Sequence, residues 1–438
     1  MTLAAAAPRY TGRTPSPRDY LETCLARVEA AEPVVQAFAW IDATAARRAA
    51  DASAARWGEG RPLSPIDGMP VALKDIFETV DMPTGFGSPI FEGFRSGRDS
   101  AVAYALREAG AVIVGKAATT EFAGAAPGPT RNPHDPTRTP GGSSSGSAAA
   151  VAAGMVPVAI GSQVGGSILR PASFCGVIGF KPTFGAINRG GISDNFSQNC
   201  AGTLSSTLED AWAVCDAIAR RVGGDPGFPP FAGGPRPLPP RRPARLALLH
   251  TAGWASAEPA AIASLEGFVA VLARGGIAIA DANSSPLVAQ LEAAIADASD
   301  VSSRINDWEK LWPFAELDRR DGARLSAGLG RGIAAGRAMD PDDYAALLRR
   351  RDAMRDALEA LAGSFDACVT LAAHGPAPVG LESTGNPIFN HPGSALRCPA
   401  ISLPLLSAAG LPLGVQLLGF PRRDRELSAF AAYCLEER

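Results

Sequence analysis

Short, almost wholly apolar segments alternate with helical segments along this chain of 438 residues. Residues 68–74, 111–115 and 157–161 are examples, and they lack the polar alternation of a half-exposed strand. Strands of this composition are typically buried on both faces, as in a sheet that carries helices on both sides. The pattern predicts an α/β fold in which helices cover both faces of a large mixed central β-sheet.

Helix signals fall between these strands. Ser16-Pro17 is a helix start, because serine caps the first turn and proline fits the first helical position. Further helices are predicted over 43–57, 101–109, 258–272 and 340–361, with a less distinct one before residue 340 and one that closes the chain. Further strands are predicted over 246–249, 367–371, 400–405 and 414–418.

Composition limits the classes of protein that this chain can be. Apolar residues make up 46% and charged residues 19%, with a net charge of −3, so neither a nucleic acid nor an acidic membrane surface is an expected partner. The longest apolar run, 148–160, contains Gly154 and Pro157 and is too short to span a bilayer. The first residues lack a basic signal-peptide region, so we expect a cytoplasmic protein.

No cofactor or metal is expected from the cysteine and histidine pattern. The seven cysteines are widely spaced without a CxxC pair, and the four histidines form no HExxH motif.

One domain is predicted over residues 1–438. Its clearest internal boundary is the Pro/Gly-rich stretch 222–243, which we interpret as a connector. The predicted parts are N-terminal helices over 1–60, a core over 61–221, a variable and substrate-shaping region over 244–365, and C-terminal strands with a helix over 366–438.

Three segments carry residues suited to catalysis: 71–75, 141–147 and 161–167. The Gly/Ser runs abut apolar elements, which disfavours a flexible linker. Gly141 to Gly146 has the spacing of a phosphate loop, but Ser147 stands where that motif requires lysine. A nucleophile elbow at Gly142-Ser-Ser144-Ser-Gly146 remains an alternative that would make the protein an esterase using Ser144, although no strand is predicted directly before it.

Lysine is rare here, occurring only at four positions: Lys74, Lys116, Lys181 and Lys310. Unlike arginine, lysine can lose its proton, and burial disfavours its charged form. Lys74 ends a buried-looking strand, which suits a base. Asp75 is adjacent but should point to the opposite face of the strand, although pairing of Lys74 with a carboxylate remains an alternative reading.

The motifs GGSSSGSAAAVAAG and GSQVGGSILRPASFCGVIGFKPT, together with the lysine that ends the upstream strand, resemble the amidase signature family. The likeness is strong over about 60–220 and 365–430 and implies the amidase-signature fold. It also implies that Ser167 attacks the carbonyl, that Ser143, on a cis peptide after Gly142, relays protons, and that neutral Lys74 is the base. The N–H groups of the loop before and at the nucleophile would bind the oxyanion: Val164, Gly165, Gly166 and Ser167.

The nucleophile loop departs from the family pattern at two positions. The family commonly has aspartate where Gln163 stands and arginine two residues after the nucleophile, where this chain has Leu169 followed by Arg170. We infer that neutral contacts replace an ion pair, and that Gln163 braces the loop through hydrogen bonds. Gly142, Gln163 and Arg170 are therefore predicted to support the site.

The resemblance implies hydrolysis of an amide-type C–N bond in a small molecule, whether amide, aryl amide or carbamate (urethane), with esterase side activity as a further option. An alternative is an A-type subunit of a glutamine amidotransferase that works with partner subunits; otherwise we expect a monomer or homodimer.

Loops 119–134 and 187–200 and the region 244–365 should shape the pocket. The aromatic residues of that region are interpreted as buried and structural, or else as an apolar pocket: Trp254, Trp308, Trp312 and Phe314.

Overall fold

The computed structural model describes residues 15–124, 126–193 and 196–437 and confirms the mixed α/β class. Its eleven strands form one sheet in the order β1-β3-β2-β4-β6-β5-β10-β11-β9-β7-β8. The strands are β1 (Phe38–Ile41), β2 (Pro70–Lys74), β3 (Val112–Ala117), β4 (Val158–Gln163), β5 (Ile178–Lys181), β6 (Cys200–Ser205), β7 (Arg245–Leu248), β8 (Ala278–Ala280), β9 (Ala367–Leu371), β10 (Ala400–Ala408) and β11 (Leu411–Leu418).

The helices of the described residues pack around this sheet. They are α1 (Pro17–Val35), α2 (Ala43–Gly58), α3 (Ala101–Glu108), α4 (Ser145–Ala152), α5 (Leu169–Cys175), α6 (Leu208–Val222), α7 (Pro259–Arg274), α8 (Pro286–Ile295), α9 (Ala298–Glu309), α10 (Leu311–Asp321), α11 (Ala327–Arg337), α12 (Pro341–Glu359), α13 (His391–Ala395) and α14 (Asp424–Glu436). No helix of the described residues is both long and apolar enough to cross a membrane.

The sheet separates two hydrophobic cores, because successive side chains of a strand point to opposite faces. Val71 and Leu73 of β2 belong to the core that α3, α6, α7 and α14 cover. Ala72 between them belongs to the opposite core, which α4, α5, α8 and α12 cover. Burial on both faces explains why these strands lack polar alternation.

Local sequence signals account for the sharpest helix starts. Ser16 accepts a hydrogen bond from the Asp19 N–H, and the Asp19 carboxylate accepts one from the Ser16 N–H, so the start predicted at Ser16-Pro17 is confirmed. Asp340 and Asp343 form the same reciprocal cap before α12.

Two expectations about elements need correction. We expected a single less distinct helix between residues 275 and 340, whereas the structure has four, α8 to α11, whose short and weakly capped sequences hide their ends. Strand β4 also continues two residues beyond the predicted end at 161 and includes Gln163, because residues 158–163 all pair with β6.

The Pro/Gly-rich connector has no helix or strand between α6 and β7. It is nevertheless attached to the core, since Trp212 Nε1 donates to the Gly234 carbonyl and the Arg241 N–H donates to the Ala429 carbonyl.

Candidate active site

Lys74 ends β2 as a completely buried side chain. Its Nζ donates to Ser143 Oγ at 2.7 Å and to Ser162 Oγ at 2.8 Å. Strand β2 pairs in parallel with β4, which brings the carboxyl ends of both strands, and therefore Lys74 and Ser162, to the same edge of the sheet. The amine thus lies among hydroxyl groups at the end of two parallel strands.

The neighbouring carboxylate belongs to a different lysine. Asp75 forms an ion pair with the buried Lys116 at 2.9 Å and also accepts a hydrogen bond from the Gly85 N–H. Burial is the main cause that raises the pKa of Asp75 and lowers the pKa of Lys116. The carboxylate next to Lys74 in sequence is therefore neutralised by Lys116.

Ser143 lies in the turn that leads into α4 and is 2% exposed. The Gly142–Ser143 peptide bond is cis. The Ser143 carbonyl accepts hydrogen bonds from Thr119 Oγ1 at 3.1 Å and from the Thr120 N–H at 3.4 Å. Gly146 must be glycine, since a Cβ there would lie 2.1 Å from the Ala37 carbonyl oxygen. These contacts hold the turn against the end of β3.

Ser144, the alternative nucleophile, is completely buried and its Oγ donates to the Ser162 carbonyl at 3.3 Å. Residues 131–141 form only isolated bridges, so no strand leads directly into this turn. Within the described residues, this segment therefore lacks the strand, sharp turn and helix that make a nucleophile elbow.

Ser167 lies in the loop between β4 and α5 and is partly exposed. Its carbonyl oxygen accepts a hydrogen bond from the Ser144 N–H at 3.2 Å. This backbone contact brings the loop of Ser167 against the turn that carries Ser143. The structure therefore assembles Lys74, Ser143 and Ser167 from three separate segments at one end of the sheet.

Gln163 forms hydrogen bonds through its side chain with the two residues that follow Ser167 and with Ser394. Its Oε1 accepts hydrogen bonds from the Ile168 N–H at 2.9 Å and the Leu169 N–H at 3.0 Å. Its Nε2 donates to Ser394 Oγ at 3.3 Å, and all of these contacts are buried. A neutral side chain thus ties both the start of α5 and the C-terminal part of the chain to this loop.

Two carbonyl groups of the loop are held in place from outside. Ser394 Oγ donates to the Gly165 carbonyl at 2.9 Å, and the Arg170 N–H donates to the Gly166 carbonyl at 2.9 Å. Because a trans peptide points its N–H opposite its carbonyl, these bonds set the directions of the Gly166 and Ser167 N–H groups. Within the described residues, the N–H groups of 164–167 donate to no other residue.

Asn390 and His391 limit the loop to glycine. A Cβ at Gly166 would lie 2.4 Å from Asn390 Oδ1, and one at Gly165 would lie 2.8 Å from His391 Nε2. The sequence alone did not single out Asn390 and Ser394, and it raised His391 only as one of four histidines. No local motif marks these residues, because their partners lie far earlier in the chain, 229 positions earlier for Ser394 and Gly165.

His391 packs between the Ser167 loop and α9 as a neutral side chain. Its Nδ1 lies 2.8 Å from Ser299 Oγ. Burial, with a smaller contribution from Arg170, lowers the pKa of His391 to about 4.

Arg170 is 4% exposed, and its Nη2 donates to the Gly142 carbonyl at 2.7 Å and to Thr384 Oγ1 at 3.0 Å. Burial lowers its pKa to about 10. Within the described residues, its side chain contacts the turn of Ser143 and forms no hydrogen bond with Gln163.

Comparison with known proteins identifies the family. A model of the family described as Amidase matches residues 19–427, which is most of the chain. The chain belongs to the amidase signature family. The resemblance drawn from the sequence motifs is thereby confirmed.

Two curated relatives of this amidase signature chain each match about half of it. It is 46% identical over 212 residues to the A-type subunit of the glutamyl-tRNA(Gln) amidotransferase of Chloroflexus aurantiacus, covering 47% of this chain and 43% of that protein. It is 44% identical over 232 residues to the corresponding protein of Acidothermus cellulolyticus, which carries the same name, covering 51% and 45%. The chain thus matches less than half of the length of these curated relatives.

Solved amidase signature structures match over the whole chain. One belongs to a vestigial protein complex that reveals the evolutionary origins of an s-triazine catabolic enzyme, with a TM-score of 0.85, 28% identity, and coverage of 100% of this chain and 98% of that one. Another is the native peptide amidase of Stenotrophomonas maltophilia, with a TM-score of 0.81, 26% identity and coverage of 100% and 96%.

This amidase signature chain has a cleft of about 780 Å³ between the loop that follows β5 and helices α9, α10 and α12. Trp308 stacks on Tyr344 at its wall, and Trp312 is 79% exposed. Phe314 is buried instead and packs on Phe122, with ring centroids 5.0 Å apart.

Phe314 is thus a buried structural residue, whereas Trp308 and Trp312 line the cleft. Trp254 is not among the residues that line this cleft, and it is partly buried against His250, with ring centroids 4.3 Å apart. No cluster of potential metal ligands occurs among the described residues.

Proposed function

We propose that the chain is a serine hydrolase that cleaves amide-type C–N bonds through an acyl-enzyme on Ser167. The family supports amide hydrolysis as the reaction class. The observation that carries the residue assignment is the buried 2.7 Å hydrogen bond between Lys74 Nζ and Ser143 Oγ, on a turn that contacts the Ser167 backbone.

The proton route follows from that arrangement. Uncharged Lys74 accepts a proton from Ser143 while Ser143 accepts the proton of Ser167, and Ser167 Oγ forms a bond to the substrate carbonyl carbon. The proton then returns through Ser143 to the nitrogen of the leaving group as the C–N bond breaks. Water then gives a proton to Ser143 and Lys74 and bonds to the acyl carbon, the bond from that carbon to Ser167 Oγ breaks, and the proton returns through Ser143 to Ser167 as the acid leaves.

Lys74 suits the role of base because it is completely buried and its amine contacts the hydroxyl groups of Ser143 and Ser162. Burial disfavours an ammonium ion, and an ammonium ion cannot accept a proton. The activity should therefore rise with pH as the amine becomes neutral.

The Ser167 loop suits the stabilisation of the oxyanion. The oriented N–H groups of Gly166 and Ser167, with those of Val164 and Gly165 beside them, can donate to a developing negative charge. Each such donor contributes about 3–4 kcal/mol to the transition state in comparable enzymes.

The substrate is proposed to be a small amide, aryl amide or carbamate. A carbamate carbonyl presents the same carbon to the nucleophile as an amide does. The cleft that Trp308, Trp312 and Tyr344 line is proposed to hold an aryl or alkyl group of the substrate, with Arg189 and Glu309 as its charged lining residues.

The test is a hydrolysis panel of aryl amides, aliphatic amides, esters and carbamates. Ser167→Ala and Lys74→Ala should each abolish turnover of every substrate, whereas Ser428→Ala, a buried serine on α14, should leave it unchanged. Retention of hydrolysis by Ser167→Ala would refute the assignment.

A second candidate function is that of one subunit within a glutamine amidotransferase, and the identity to proteins of that kind supports it. The two functions differ in their need for partners. Gel filtration of the purified chain, with ammonia or amine release measured on the same fraction, separates them: release by the chain alone supports the independent hydrolase.

A further inference from the structure

Arg170 is a buried cation without a carboxylate partner in the described residues. Its hydrogen bonds go to a carbonyl and a hydroxyl, and the buried Nε and Nη1 atoms have no acceptor. Burying a guanidinium in this way is costly, because a buried charge is normally paired.

A short connected path leads from Arg170 to the proposed base. Nη2 donates to the Gly142 carbonyl, Ser143 is the next residue, and Lys74 Nζ donates to Ser143 Oγ. Thr384, on the segment before α13, is the other acceptor of the same Nη2. The guanidinium thus holds the turn that carries Ser143 through the Gly142 carbonyl, while Lys74 contacts that turn through Ser143 Oγ.

The charges around this path leave Arg170 uncompensated. Asp75, adjacent to Lys74 in sequence, is paired with Lys116. Glu121, on the loop after β3, accepts hydrogen bonds from the Ser326 N–H at the start of α11.

The histidines near Arg170 respond to its charge. His374 and His391 both have pKa values lowered mainly by burial, and Arg170 lowers both further, while Glu258 acts in the opposite direction on His374 only. The positive charge of Arg170 therefore disfavours the protonated forms of both histidines.

We propose that Arg170 is a positioning residue that holds the Gly142 carbonyl and places an unpaired positive charge beside the relay, so that Lys74 stays uncharged. This inference rests on the proposed function of Lys74 as base. It also gives a reason for the departure of this loop from the family pattern. An arginine paired with a carboxylate at position 163 would have its charge neutralised, whereas an arginine without that carboxylate can act on Lys74 through its charge.

The expected effect is a shift in the pH dependence of hydrolysis. The charge of Arg170 repels the ammonium form of Lys74. At an effective dielectric constant of about 20, this repulsion lowers the pH midpoint of the activity by about one unit. Removing the charge of Arg170 should move the midpoint of the rising limb of kcat/KM upward by about that amount. At a pH below both midpoints, the rate should fall about tenfold.

The experiment compares pH profiles of four variants with the unmodified protein. Arg170→Met removes the charge, and Arg170→Lys keeps it while losing the planar contacts. Thr384→Asp supplies a carboxylate next to Nη2 and neutralises the charge with Arg170 still present, whereas Thr384→Asn is its uncharged match. Arg170→Met and Thr384→Asp should raise the midpoint, and Arg170→Lys and Thr384→Asn should not.

The Thr384 pair decides the question even if Arg170→Met does not fold. Equal midpoints for Thr384→Asp and Thr384→Asn would overturn the electrostatic role of Arg170, as would equal midpoints for Arg170→Met and Arg170→Lys. Failure of the proposed function would look different, because the unmodified protein would then hydrolyse nothing or keep its activity after Lys74→Ala.

Discussion

Replacing Gln163 with alanine tests whether this side chain braces the oxyanion loop. The change removes the shared acceptor of the Ile168 and Leu169 N–H groups and the donor to Ser394 Oγ. Each buried N–H that loses its acceptor costs about 1–3 kcal/mol. The free energy of unfolding should therefore fall by about 2–6 kcal/mol.

The same change should lower kcat more than the loss of stability alone explains. Ser394 Oγ, which donates to the Gly165 carbonyl, would lose the Gln163 donor that orients it, so the Gly166 N–H of the same peptide would lose its direction. Removing a single donor of this kind costs about 10²–10³ in kcat. Urea denaturation followed by fluorescence gives the stability, and initial rates at saturating substrate on the folded variant give kcat.

Asp67→Ala is the matched control for this experiment. Asp67 is completely buried at the opposite end of β2, where it accepts from the Leu63 N–H and pairs with Arg56. Its loss should lower the stability and leave kcat unchanged. A Gln163→Ala protein with unaltered stability and unaltered kcat would refute the bracing role.

Three further changes test other parts of the account. Lys116→Met should lower the free energy of unfolding by about 3–5 kcal/mol, because it leaves Asp75 buried without its partner; a loss below about 1 kcal/mol in urea denaturation would contradict this. Gly165→Ala should abolish hydrolysis while the protein remains folded by circular dichroism, since the new Cβ would lie 2.8 Å from His391 Nε2; full activity would contradict the tight packing. The pKa of His391 is about 6.5 in the unfolded chain and about 4 in the folded protein, so the unfolded chain takes up its proton first as the pH is lowered. The free energy of unfolding should therefore fall by about 3 kcal/mol as the pH is lowered from about 6.5 to about 4. His391→Gln should flatten this part of the pH–stability curve, and an unchanged slope would contradict it.

The central strands and the Lys74 position could be predicted because their signals are local. An apolar run that ends in a lysine indicates a buried strand whichever other segments surround it, and β2 ends at Lys74 as predicted. The start of α1 was equally predictable, since a capping serine followed by proline acts within a single turn.

Contacts between distant segments could not be predicted in this way. Asn390, His391 and Ser394 form the outer wall of the Ser167 loop, yet nothing in their local sequence indicates what they contact. The pairing of Asp75 with Lys116 also depends on the register of β2 against β3. Such partners are set by sheet order rather than by local pattern.

The central claim is that Ser167 carries the acyl group during turnover. The most direct measurement treats the protein with a fluorophosphonate serine probe and locates the adduct by peptide mass spectrometry, with Ser167→Ala and Ser143→Ala proteins alongside. We expect one adduct on the peptide that contains Ser167, abolished by Ser167→Ala and strongly slowed by Ser143→Ala. An adduct on Ser143 or Ser144, or labelling that persists in Ser167→Ala, would contradict it.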